Sequence, residues 1–380
     1  MKTCCNLDWL ELSCEETNPT TAKVINKSGY AVKVRDFGTR VFSEMFFVLN
    51  SDGNEMFEIR RNPYSKISQG GVIKDDLCHI RVTNWKLYDV RLFEDLRNFI
   101  IKFGYTVKSI YRCDICLDIQ EFKSGMKPET FIKKYMHWEI GKMNQPKCTV
   151  HWIDGAENRN VNSLKWGSET SMITTKMYNK SMELRQVKDK PYITEQWERC
   201  GYDKTKDVYR IEISISSDAR HLVHLDTGLI KTLSLETIDN RDKIYYTFLD
   251  YCSHYFDFYY RDENKRKSRC KHLALFKGYN IGDNCKVVRI TNTKIITRTD
   301  RIIIKRLSDL CQRENMTLQN KKDIVATIKI LIKDVNYENW IAQQPKYIKN
   351  IVKIIKTYKD YGELFDSKIF KLIDWEHEGK

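Results

Sequence analysis

Tyr111-Arg112-Cys113-Asp114-Ile115-Cys116-Leu117-Asp118-Ile119 changes character at every second residue. That period of two predicts a β-strand, because successive side chains leave a strand on opposite faces. Arg112, Asp114, Cys116 and Asp118 share one face; Cys113, Ile115, Leu117 and Ile119 share the other. A strand apolar on one side and charged on the other suits an antiparallel sheet with one face on a core. Two more segments read the same way. In Lys176-Met177-Tyr178-Asn179-Lys180 the residues Lys176, Tyr178 and Lys180 fall together, and in Tyr209-Arg210-Ile211-Glu212-Ile213-Ser214-Ile215 so do Arg210, Glu212 and Ser214. If the three strands are neighbours, one sheet face gathers Asp, Glu, Tyr, Lys and Arg.

Outward from these strands the pattern extends in both directions. Residues 30–34, 41–49 and 55–60 are rich in β-branched and aromatic residues, with Ser51-Asp52-Gly53-Asn54 as a hairpin turn between the last two. Further strands are predicted over 77–85, 109–119, 148–153, 172–179 and 208–216. Leu92, Leu96, Phe99 and Ile100 have helical spacing and Gly104 follows as a stop, which predicts a helix over 92–103. A second helix is expected over 127–143, with Pro128 in its first turn. The fold class is therefore α+β, a mostly antiparallel sheet with packed helices. Beyond residue 236 the character turns helical, over 241–260, 301–313, 321–335 and 345–361. Two regions are expected: 1–235, carrying the sheet, and 236–380, a helical and basic region for DNA binding or accessory contacts.

Bulk properties narrow the function. In 380 residues the charge balance is +14, with 65 Lys and Arg against 51 Asp and Glu. A basic excess favours a polyanionic partner, nucleic acid first. The 21 Tyr supply surfaces on which bases can stack. No apolar run is long enough to span a bilayer and residues 1–16 do not read as a secretion signal, so a cytoplasmic location without membrane contact is expected. The 12 Cys are scattered. Cys113 and Cys116, the sole C-x-x-C, lie three apart in a strand and so face opposite ways, which argues against structural zinc.

A charged sheet face is ordinarily just wet. Here, however, carboxylates crowd one face and repel each other unless cations hold them. A metal ion would serve; so would Arg112, Lys176 and Arg210. These segments resemble the replication initiation factor family, the rolling-circle initiators of small plasmids and filamentous phages, which also contains relaxases of integrative conjugative elements. That family shows R-hydrophobic-D-x-x-x-D, a Gly-Ser segment leading into R-I-Y-[ND]-K, then R-[VI]-E. This chain has Arg112-Cys113-Asp114 with Asp118, Trp166-Gly167-Ser168 leading to Tyr178-Asn179-Lys180, and Arg210-Ile211-Glu212. The resemblance spans roughly residues 20 to 220 and is sharpest from 109 to 216. Lys176 stands where the family has Arg.

The resemblance implies a site-specific DNA nickase. Tyr178 would attack the scissile phosphate, leaving a 5′-phosphotyrosine link and a free 3′-OH, with Lys180 and Arg210 as further catalytic groups. Asp114, Asp118 and Glu212 would hold Mg²⁺ or Mn²⁺, hard ions that take oxygen ligands. A phenol ionises near pH 10 and needs help to act as a nucleophile at neutral pH. Tyr192 and Tyr209 are the alternative nucleophiles. Lys176 and the basic run with Lys265, Arg266 and Lys267 are candidate DNA contacts. So are Lys349 and Lys353, on the lysine face of the helix over 345–361. Origin DNA, double- and single-stranded, is the expected partner, with a host helicase and a second copy of the chain as further partners. A relaxase would carry the same site. A non-catalytic DNA-binding regulator is the alternative of a different class.

Overall fold

The computed structural model describes residues 4–288 apart from 65–66, 69–70, 73–75, 145–146, 155–158, 169, 187–189, 226 and 277–284. The chain divides into two compact units, Met1–Ile290 and Thr291–Lys380, and the described residues belong to the first. That unit runs past the change of character near residue 236. The helical patterns over 301–313, 321–335 and 345–361, with Lys349 and Lys353, lie outside the described residues.

Ten strands form one sheet: β1 (Cys4–Glu16), β2 (Ala31–Val34), β3 (Phe42–Leu49), β4 (Glu55–Pro63), β5 (Leu77–Val82), β6 (Tyr105–Ile119), β7 (Cys148–Asp154), β8 (Arg159–Trp166), β9 (Ile173–Asn179) and β10 (Tyr209–Ser216). Their order across the sheet is β7-β8-β9-β10-β6-β1-β5-β4-β3-β2, and every pairing is antiparallel. With the helices α1 (Ala22–Lys27), α2 (Leu92–Phe103), α3 (Pro128–Met136), α4 (Lys180–Gln186), α5 (Pro191–Arg199) and α6 (Arg241–Tyr255), this is the expected α+β architecture.

One face of the sheet is the core. Ile115, Leu117, Ile211, Ile213 and Met177 are fully buried there, against α6, which packs on β1, β6 and β9, and α2, which packs on β6. In α2 the predicted spacing holds: Leu92, Leu96 and Phe99 are buried, each contributing about 1.5–3 kcal/mol through loss of apolar surface. Gly104 ends the helix in the left-handed region at φ 68°, its N–H donating to the carbonyls of Ile100 and Ile101.

Three expected elements end early. The helix over 127–143 ends at Met136; Trp138 has φ 65°, and Ile140–Lys142 pairs as a strand with Phe258–Tyr260. For the same reason the helix over 241–260 stops at Tyr255. The strand over 77–85 stops at Val82, because Thr83 Oγ1 and Trp85 Nε1 turn back to donate to the Glu55 carbonyl. The strand at the middle of the sheet, β1, is an addition. Its alternation is broken by a bulge at Asp8, which lies between the paired residues Leu7 and Trp9. The bulge moves the apolar face from Cys5 and Leu7 to Leu10 and Leu12, and adds one residue to the polar side.

Candidate active site

Pairing across β9, β10, β6 and β1 lays the polar face out in three rows. Tyr178 opposes Arg210, which opposes Asp118, which opposes Cys4. Lys176 opposes Glu212, which opposes Cys116, then Asn6. Thr174 opposes Ser214, which opposes Asp114, then Trp9. Gly167 secures this register at the β8–β9 turn. It holds φ 92°, and a Cβ there would sit 2.9 Å from the Ile173 carbonyl oxygen. Ser168 N–H donates to Ser171 Oγ at 2.9 Å within the same turn.

The rows bring Tyr178 and Glu212 together: the phenol donates to Glu212 Oε2 at 3.3 Å. Glu212 Oε1 accepts from Lys176 Nζ at 3.1 Å and Ser214 Oγ at 3.4 Å. Burial pushes the Tyr178 phenol well above its ordinary pKa; Arg210 pulls it down, while Glu212 and Asp8 add to the rise. The phenol is therefore neutral at rest, and its proton has a carboxylate acceptor within reach.

Asp114 is gripped by Arg112, whose Nε donates to Oδ1 at 3.0 Å and Nη2 to Oδ2 at 2.5 Å. Burial raises the Asp114 pKa to about 6; Arg112 opposes the rise, and Glu212 and Asp8 add to it. Asp118, on the same strand face, is spent differently. Its Oδ1 accepts from Arg210 Nε at 2.7 Å, and its Oδ2 accepts from Arg210 Nη2 at 2.8 Å and Trp197 Nε1 at 2.7 Å. The trio of oxygen ligands expected from the resemblance is thus not brought together. Among the described residues no three or more His, Cys, Asp or Glu form a group that could hold a metal ion. Asp114 and Glu212 remain as oxygen donors on neighbouring strands, and the charge of Glu212 adds to the rise in the Asp114 pKa that burial causes.

Arg210 and Lys180, the other expected catalytic groups, are both buried. Arg210 is fully buried, and its remaining donors go to Asp8 Oδ1 at 2.5 Å and Tyr88 Oη at 2.9 Å. All of these partners belong to the protein, and the guanidinium has no exposed surface. Lys180 does not share the strand face with Lys176 and Tyr178. The strand ends at Asn179, whose side chain accepts from Met182 N–H and turns the chain into α4. Lys180 Nζ donates to Glu183 at 2.8 Å and lies 5.5 Å from the centre of the Tyr178 ring. Of the alternative nucleophiles, Tyr209 is buried and Tyr192, on α5, packs its ring 5.1 Å from that of Tyr88.

Lys265 pairs with Asp262 at 2.6 Å, Lys267 donates to the Met143 carbonyl, and Arg266 is exposed beside them.

Asp8 and Trp9 were missed in the sequence. Burial works to raise the Asp8 pKa, but Arg210 and Lys180 hold it below the usual range. Trp9 is sandwiched between Arg81 and Arg112, 3.8 Å and 4.6 Å from its ring. The available signal was the alternation of Leu10, Leu12 and Cys14 with Trp9, Glu11 and Ser13.

No protein-family model and no curated protein matches this chain. A solved structure does resemble it. It is a rolling circle replication initiator protein from Geobacillus stearothermophilus, 15% identical, with a TM-score of 0.41, covering 71% of this chain and 92% of that one. At that identity and score the functional reading rests on the residues of the site. No helix among the described residues is long and apolar enough to cross a membrane.

Proposed function

We propose that this protein nicks one strand of DNA with Tyr178 as nucleophile, in the role of a rolling-circle replication initiator. The observation that carries the reading is the phenol of Tyr178 held 3.3 Å from Glu212 on a sheet face that also presents Lys176 and Arg112. A general base must lie within hydrogen-bond reach of the proton it takes, and such contacts are often long before substrate binds. In the proposed step Tyr178 Oη forms a bond to the scissile phosphorus while its proton passes to Glu212. The bond from phosphorus to the 3′ oxygen breaks, and its electron pair leaves with that oxygen, which takes a proton from solvent. The products are a 5′-phosphotyrosine and a free 3′-OH.

Lys176 is placed to neutralise phosphate charge beside the nucleophile, and Arg210 keeps Asp118 and Asp8 in position from below. Asp114 and Glu212 would hold Mg²⁺ or Mn²⁺. Such an ion, when bound, polarises the phosphate and offsets the charge that builds up on it. The exposed run at Lys265, Arg266 and Lys267 would contact the backbone of origin duplex, which fixes position without reading sequence.

Purified protein mixed with supercoiled plasmid carrying its origin, and Mg²⁺ or Mn²⁺, is expected to produce nicked circles with protein covalently attached. Tyr178→Phe is expected to bind the same DNA and form no adduct. An adduct formed by Tyr178→Phe would overturn the assignment and move attention to Tyr192.

A further inference from the structure

Next to Tyr178 lies an open cleft of about 470 Å³ lined mainly by side chains of β6, β8, β9 and β10, among them Tyr111, Arg112, Lys165, Thr174, Lys176 and Ser214. Three of its wall residues are cations, five carry Ser or Thr hydroxyls, and none is a carboxylate. Within it, Lys165 of β8 stands directly opposite Lys176 of β9. Directly opposed residues bring their Cβ atoms within about 4.5–5.5 Å, and like charges so placed destabilise a sheet. Lys176 has Glu212 as counter-ion. Lys165 has no carboxylate partner among the described residues. The pair is repulsive as it stands, and an anion seated between the two ammonium groups would relieve it. The cleft continues to Tyr111, which is 46% exposed.

We propose that this cleft is a subsite for single-stranded DNA. It takes the phosphodiester next to the scissile one between Lys165 and Lys176, with the adjoining base against Tyr111. Its position follows from strand geometry. Lys176 and Tyr178 are two residues apart on one face, roughly 7 Å along the strand, a separation comparable to that of successive phosphates in an extended strand. Aromatic stacking accepts any base, so the subsite holds the strand without reading it. Placing the bound phosphate next to the scissile one rests on Tyr178 being the nucleophile; the anion site itself does not.

The test uses the full-length Tyr178→Phe protein, which cannot cut, and a short fluorescein-labelled oligothymidylate in EDTA. Binding is followed by anisotropy at several salt concentrations. Adding Lys165→Ala is expected to weaken binding several-fold and to reduce the magnitude of the salt slope by about 0.7, the loss of one phosphate contact on a single strand. Lys33→Ala, at the far edge of the sheet, is expected to leave both unchanged. Because Lys165→Ala removes a repulsion, its melting temperature should be no lower than that of the parent, which separates lost contact from lost fold. An unaltered slope in Lys165→Ala, an equal loss in Lys33→Ala, or no binding by the parent would each overturn the subsite. These outcomes are independent of the covalent-adduct assay, so either reading can fail alone.

Discussion

Replacing Arg210 with methionine probes the element on which the site is built. The guanidinium is fully buried and Asp118 is 2% exposed. The substitution removes two hydrogen bonds to Asp118, one to Asp8 and one to Tyr88. Methionine fills much of the volume, so the main cost is electrostatic: a carboxylate left in the interior with only the Trp197 indole beside it. Removing one partner of a buried ion pair typically costs about 3–5 kcal/mol. For a unit of this size, at roughly 2–4 °C per kcal/mol, that corresponds to a melting point lower by about 10 °C. Adding Asp118→Leu removes the stranded charge and should recover about half of the loss, since a buried pair exchanged for apolar side chains is often near neutral. Thermal and urea unfolding, followed by circular dichroism on the single and double variants, give both numbers. A single variant within about 1 kcal/mol of the parent, or a double variant no more stable than the single, would refute the view that Arg210 is held by charge.

Glu212→Gln keeps the shape of the site but offers Tyr178 no proton acceptor. The nicking rate at saturating DNA is expected to fall about 10²- to 10⁴-fold with little change in DNA affinity, and a rate within threefold of the parent would remove Glu212 from the proton-transfer role. Asp114 predicts the acid limb of the pH profile. Its folded pKa, raised to about 6, means that the carboxylate needed for a cation forms only above that pH, so nicking should decline as pH drops through about 6. The stability sign runs the other way: ionised Asp114 is the penalised form, so its contribution is full below its unfolded pKa and is lost as pH rises through about 6. Asp114→Asn should erase the acid limb of the nicking profile, and an unchanged limb in that variant would assign it to another group.

Much of this arrangement is legible in a single sequence because a strand's period of two is a local property. The alternation in 111–119, 173–179 and 209–216 fixes which residues share a face, and so puts Tyr178 with Lys176, Glu212 with Arg210, and Asp114 with Asp118, before any pairing is known. The spacing of Leu92, Leu96 and Phe99 with Gly104 likewise sets the extent of one helix. What alternation cannot express is partnership between strands. Asp114 and Asp118 are the same residue type, four apart on one face. The register of β10 sets a fully buried arginine opposite Asp118 but a serine opposite Asp114, whose arginine, Arg112, comes from its own strand and is part exposed, so burial still raises the proton affinity of Asp114. Asp8 reaches Arg210 only because a bulge inserts one residue into β1, and a bulge interrupts the very period by which a strand is recognised. Lys180 reaches the Tyr178 ring from the first turn of a helix instead of from the strand, because the Asn179 side chain turns the chain there. The chemistry available at the site is therefore written along the strands, while the roles of its carboxylates are set by distances across them, where burial makes each charge depend on its nearest opposite.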